Sequence, residues 1–158
     1  MKKEINALDY ASEITNQLSK GILLTTKADG KVNSMTIGWG MIGIEWGKPV
    51  FVALVRTGRF TKEQLDKNPF FTLNIPWGNT DRKAIGLCGT ISGRNTNKIN
   101  EAGLTIETAE NIDVPAIKEY PLTLECKIIY KQAQDPSEIP PEDAARFYPQ
   151  NVDSSNTG

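Results

Sequence analysis

An antiparallel β-barrel or sandwich with short peripheral helices is the fold class that this sequence predicts. Three observations carry that expectation: strand-like segments dominate, the helical segments are short, and no β-α-β-α alternation runs along the chain. At 158 residues, with no internal repeat, linker or low-complexity stretch, residues 1–158 read as a single domain. A chain of that size buries roughly two-thirds of its unfolded surface.

The elements follow in order. Asp9 is expected to cap a first helix whose apolar stripe is Ala11, Ile14 and Leu18, with Gly21 as its left-handed stop. Residues 21–27 read as a strand, Asp29-Gly30 as a hairpin turn, and residues 32–37 as the returning strand. Residues 41–45 and 49–55 are further strands, joined by a turn at Trp46-Gly47-Lys48-Pro49. A short helix fits residues 61–67 and ends at Asn68-Pro69; a strand fits 70–75 and closes at Pro76. Residues 85–91 read as strand, 95–102 as a helix stopped by Gly103, and 122–131 as the last clear strand. Pro140-Pro141 opens a final helical turn through Phe147.

Composition narrows the functions. The 18 Lys and Arg nearly balance the 19 Asp and Glu, which excludes a bulk electrostatic partner such as nucleic acid or an anionic membrane. No apolar run approaches the ~20 residues that cross a bilayer. Residues 1–6 lack the apolar core of a signal peptide. Cys88 and Cys126 are isolated, so they are expected as reduced thiols of a cytoplasmic protein. With no histidine in the chain, Ser-His-Asp and Cys-His catalysis and His-containing zinc sites are excluded, and no metal site is expected. Difficult chemistry then falls to a cofactor, and no side chain is assigned as catalytic.

One motif misleads. Gly38-Trp39-Gly40-Met41-Ile42-Gly43 matches the dinucleotide fingerprint GxGxxG, whose mechanism needs a helix after the glycines. Here Gly47, Pro49 and β-forming residues follow, and no helix of useful length forms.

Three segments carry chemistry. In the first, Thr61 and Gln64 have capping-box spacing, and Arg56, Thr57, Arg59 and Lys62 crowd the start of a helix. Basic residues are unfavourable there unless an anion joins them, so this is either a solvated basic turn or a phosphate site. In the second, Asn33, Ser34, Met35, Thr36 and Ile37 lead to Trp39 between two glycines. This is either a surface for a flat ligand or a strand with Met35, Ile37 and Trp39 in the core. In the third, Gly89, Ser92, Arg94 and Lys98 lie in a Gly/Ser-rich turn before a helix capped by Ser92 or Asn95. Read alone it is an ordinary loop.

Together and in this order, these segments resemble the flavin reductase-like family of FMN-binding split barrels, the flavoredoxin group in particular. The likeness also runs through Thr25-Thr26, Pro49-Val50-Phe51-Val52 and Phe70-Phe71-Thr72-Leu73-Asn74-Ile75-Pro76. It implies a six-stranded antiparallel Greek-key barrel, a homodimer, and FMN near the dimer interface. Residues 33–37 would line the flavin ring, Arg56, Arg59 and Thr61 would hold the phosphate, and Ser92, Arg94 and Lys98 would lie near the flavin or the partner subunit. It further implies hydride transfer from NAD(P)H through FMN. The alternatives are an electron carrier without its own NAD(P)H activity and a non-enzymatic flavin-binding module. Members of the group continue past a segment like Tyr148-Pro149-Gln150 into a further strand, so the chain is expected to lack its C-terminal strand.

Overall fold

A computed structural model describes residues 2–149. The expectation of a missing C-terminal strand, which rests on residues 150–158, lies outside the described residues.

A 3-10 turn at Ala7–Tyr10 leads into helix α1, Ala11–Leu18. The turn is capped by Asn6, whose Oδ1 accepts the Leu8 amide at 3.1 Å; the expected cap, Asp9, lies inside it. Gly21, at φ 101°, then turns the chain into β1, Ile22–Ala28. Asp29 and Gly30, both with positive φ, close a two-residue turn onto β2, Lys31–Ile37, in the register Ala28↔Lys31 to Ile22↔Ile37. A second such turn at Trp46-Gly47 joins β3, Gly40–Glu45, to β4, Lys48–Ala53. Helix α2, Phe60–Lys67, precedes β5, Phe70–Ile75. After helices α3, Lys83–Thr90, and α4, Lys98–Glu101, come short strands β6, Ile106–Glu107, and β7, Ala116–Ile117. Strand β8, Leu122–Lys127, and helix α5, Pro141–Phe147, complete the described chain.

The fold is mainly β, with antiparallel sheets and short helices. Strands β2-β1-β5-β8 form one sheet, while β3-β4 and β6-β7 form sheets of two. Among the described residues these sheets do not close into the expected six-stranded barrel. The four-stranded sheet is covered on both faces. One face carries Leu24, Met35 and Leu73 against Ile14 and Leu18 of α1, Leu65 of α2 and the inner residues Ile42 and Phe51 of the β3-β4 hairpin. The other carries Leu23 against Ile85, Cys88, Ile99, Ile117 and Tyr120. This double cover explains why β1 is buried almost continuously instead of alternating.

Three local expectations change. The segment expected as a strand at 85–91 is helix α3: Ala84, Ile85 and Cys88 fall on one helical face, and Asp81 accepts the Lys83 amide at its start. Gly86 and Gly89 lowered its apparent helix propensity, yet Gly89 serves close packing, since a Cβ there would lie 3.3 Å from Thr36. The helix expected at 95–102 shortens to α4, and its cap is Asn97, not Ser92 or Asn95. The last strand ends at Lys127, not Lys131.

Candidate functional site

The first turn of α2 is fastened to the β1-β2 hairpin by side chains. Gln64 donates to the Lys31 carbonyl at 3.0 Å and accepts from Thr26. Asn33 donates to the Thr61 hydroxyl at 3.2 Å. Thr61, expected as the helix cap, is buried in this contact; Arg59 occupies the capping position and makes no side-chain cap bond. A helix start pinned to a rigid hairpin holds its cationic residues at fixed positions.

Two features of this corner are unbalanced. Lys98 is 3% exposed, its ammonium donates to the Cys88 carbonyl at 2.9 Å, and no carboxylate pairs with it among the described residues. Burial lowers its pKa, and nearby Arg59 lowers it further against the opposing pull of Cys88. Burying an ammonium without an anion is costly, and an anion beside Lys98 would lower that cost. The second feature is Asn33 Oδ1, which is buried without a hydrogen-bond donor. It faces Gly93, where a Cβ would lie 2.1 Å away. A buried cation without a carboxylate partner beside a polar helix start is an arrangement that suits an anionic group.

A loop covers this corner. Lys31 donates to the carbonyls of Gly93 and Arg94, and Arg94 pairs with Glu63 and donates to the Gly58 carbonyl. The Phe60 ring lies close to both cations, 5.0 Å from Lys31 Nζ and 5.7 Å from Arg94 Cζ. Ser92 is exposed and accepts the Arg94 amide.

Of the residues singled out in sequence, the fold brings Asn33, Thr61 and Arg94 together at the start of α2 and places Arg59 near Lys98. It sends the others elsewhere. Met35 and Ile37 enter the core; Ser34 is bonded to Thr25 at 2.6 Å, and Thr36 donates to the Ile85 carbonyl beneath α3, where Gly89 packs. Thr57 is exposed. Arg56 turns from the cluster to the Phe147 carbonyl, and Trp39, 41% exposed, meets the rings of Phe147 and Tyr148. Lys31 and Phe60 escaped the sequence reading. Strand alternation places Lys31 on the same face as Asn33, and that signal was readable. A hollow of about 290 Å³ near Lys27, Val32 and Asp113 shares no residue with the cluster and combines both charge signs.

Among the described residues no group of His, Cys, Asp or Glu could hold a metal ion, and no helix is long and apolar enough to cross a membrane. Both cysteines are free thiols, and burial raises the pKa of each, that of Cys126 to about 12.

Residues 17–138, well over half of the chain, match the model of the flavin reductase like domain. The flavoredoxin of Desulfovibrio vulgaris (Miyazaki F) is 27% identical with a TM-score of 0.65, over 71% of this chain and 61% of that one. The flavoredoxin from Methanosarcina acetivorans is 28% identical with a TM-score of 0.63, over 71% and 58%. An uncharacterized protein of Archaeoglobus fulgidus is 26% identical over 99 residues, which are 63% of this chain and 55% of the relative. The chain thus spans little more than half the length of these proteins.

Proposed function

The chain belongs to the flavin reductase-like domain family, and on that premise we propose that it binds FMN at the Arg59–Lys98 corner and works as an oxidoreductase. The observation that carries this reading is the buried Lys98 ammonium, which has no carboxylate partner among the described residues and stands near Arg59. In this reading Arg59 and Lys98 hold the phosphate, while Asn33, bonded to Thr61 and packed against Gly93, fixes the wall of the site. When bound, FMN supplies hydride and electron transfer at its ring. The loop of Ser92, Gly93 and Arg94 excludes water from the phosphate end, which strengthens each charged contact there.

Titration of the purified protein with FMN, read by visible absorption, tests the site. Wild type is expected to saturate, and Arg59→Ala to weaken binding at least tenfold, as loss of a charged hydrogen bond worth about 1.5–3 kcal/mol requires. Equal affinity in the two proteins rejects the assignment.

The finer reading is NAD(P)H-dependent flavin reduction. The identity to two flavoredoxins favours a second, in which the protein carries electrons through FMN without oxidising NAD(P)H itself. Steady-state NAD(P)H oxidation with added FMN separates them: turnover supports the reductase, and a rate indifferent to FMN supports the carrier. The reading also includes a homodimer and the six-stranded Greek-key topology of a split barrel. The apolar outer face of the β3-β4 hairpin, with Met41 57% and Val52 42% exposed, supports the homodimer.

A further inference from the structure

Arg56 belongs to the cationic turn in sequence but not in its contacts. Its guanidinium donates to the Phe147 carbonyl at 3.0 Å and lies 4.7 Å from the centre of the Tyr148 ring and 5.7 Å from that of Trp39. The Phe147 carbonyl is at the C-terminal end of α5, where helix carbonyls lack partners within the helix. Trp39 meets Phe147 and Tyr148 edge to face, at 5.1 and 6.2 Å. Among the described residues, little else ties this segment to the body. Helix α5 has no buried residue, none of its residues joins either apolar cluster, and residues 129–138 are exposed throughout. Meanwhile Arg59, three residues along and bonded through its amide to the Arg56 carbonyl at 3.1 Å, stands near Lys98.

We propose that residues 136–148 form a latch that competes with a phosphorylated ligand for Arg56. Docked, the segment holds Arg56 against Tyr148 and leaves the anion corner to Arg59 and Lys98. A phosphate seated there draws the guanidinium of Arg56 toward it, because a dianion is a stronger acceptor than a neutral carbonyl. Losing that anchor, α5 undocks and uncovers Trp39. Binding and latch release are thereby linked: whatever weakens docking tightens the ligand. The latch rests on the reading of this corner as the FMN site, and the experiment below separates their failures.

Hydrogen exchange of the peptide covering residues 137–148 is followed in the full chain, with and without saturating FMN, beside FMN affinities of wild type, Tyr148→Ala and Tyr148→Phe. FMN is expected to speed exchange in the arm several-fold. Tyr148→Ala is expected to bind FMN roughly two- to fivefold more tightly, the worth of one exposed cation–π contact, while Tyr148→Phe keeps the ring and behaves as wild type. If FMN binds but leaves arm exchange unchanged or slower, or if Tyr148→Ala binds it no more tightly than wild type, the latch is overturned and the flavin site stands. If neither wild type nor Tyr148→Ala binds FMN, both fall.

Discussion

Lys98 shows how one side chain can carry a functional argument. A depressed lysine pKa means that the ammonium is less comfortable folded than unfolded, so its burial costs stability at neutral pH. That cost persists below the folded pKa and fades as pH rises toward the unfolded value near 10.5, because in that window the unfolded chain binds more protons. In ligand-free protein, Lys98→Met is therefore expected to be more stable than wild type at pH 7. The gap should narrow toward pH 10.5. Comparing the two proteins by thermal melting cancels the opposing alkaline effect of Cys126 and Tyr120, whose raised pKa values lower stability at high pH in both. The same variant is expected to lose FMN affinity, so stability and function should move in opposite directions. Gly93 makes the complementary case. Gly93→Ala drives a Cβ into Asn33 Oδ1 and to 3.1 Å from the Phe60 ring. It is expected to cost about 1–3 kcal/mol in denaturant unfolding and to weaken FMN retention by displacing Asn33.

At the scale of elements, a polar seam crosses the four-stranded sheet. Asn74 on β5 uses all of its capacity: Nδ2 donates to Thr25 on β1 and to Thr72, while Oδ1 accepts from Thr123 on β8 and from the Ile117 amide on β7. Thr25 continues the seam to Ser34 on β2, and Thr72 donates to the Pro115 carbonyl. Each partner is buried or half-buried, so removing the hub leaves several groups unsatisfied at once. Asn74→Ala is expected to destabilise by about 2–4 kcal/mol in urea unfolding, and to loosen residues 115–117 before the rest in native-state hydrogen exchange. An unchanged midpoint would show that the seam is not structural. The β1-β2 hairpin has a different anchor, α2, through Gln64, Thr26 and Asn33. The proposed site therefore sits where this anchored hairpin meets the helix start.

At the scale of the molecule, the uncovered surface concentrates on the β3-β4 hairpin. Met41 and Val52 pair across its outer face, Trp46 and Tyr130 meet at its tip, and Ile44 is exposed near the tip on the opposite face. Trp46 holds φ 50°, an unusual conformation for a bulky residue, and is still 61% exposed. If this face joins two copies, Met41→Lys with Val52→Lys should convert a dimer to a monomer in sedimentation velocity without unfolding it, since neither side chain enters the core. A wild-type monomer at micromolar concentration would reject the interface.

The elements legible in sequence were those governed by local rules. The Asp29-Gly30 turn, the stops at Gly21 and Gly103, strand 70–75 and the proline-initiated α5 each depend on backbone conformation or short-period patterning. The basic turn before α2 was legible for the same reason, because a cluster of cations at a helix start is a local anomaly. Tertiary packing decided the rest. It made α3 a helix by laying Cys88 and Gly89 against β2, and it moved Thr61 from helix cap to buried partner of Asn33. It also divided the arginines, sending Arg56 to the C-terminal helix and leaving Arg59 near Lys98. Charge and spacing along a chain say which residues are unusual; only the long-range contacts, 91 residues apart for Arg56 and Phe147, determine which of them meet.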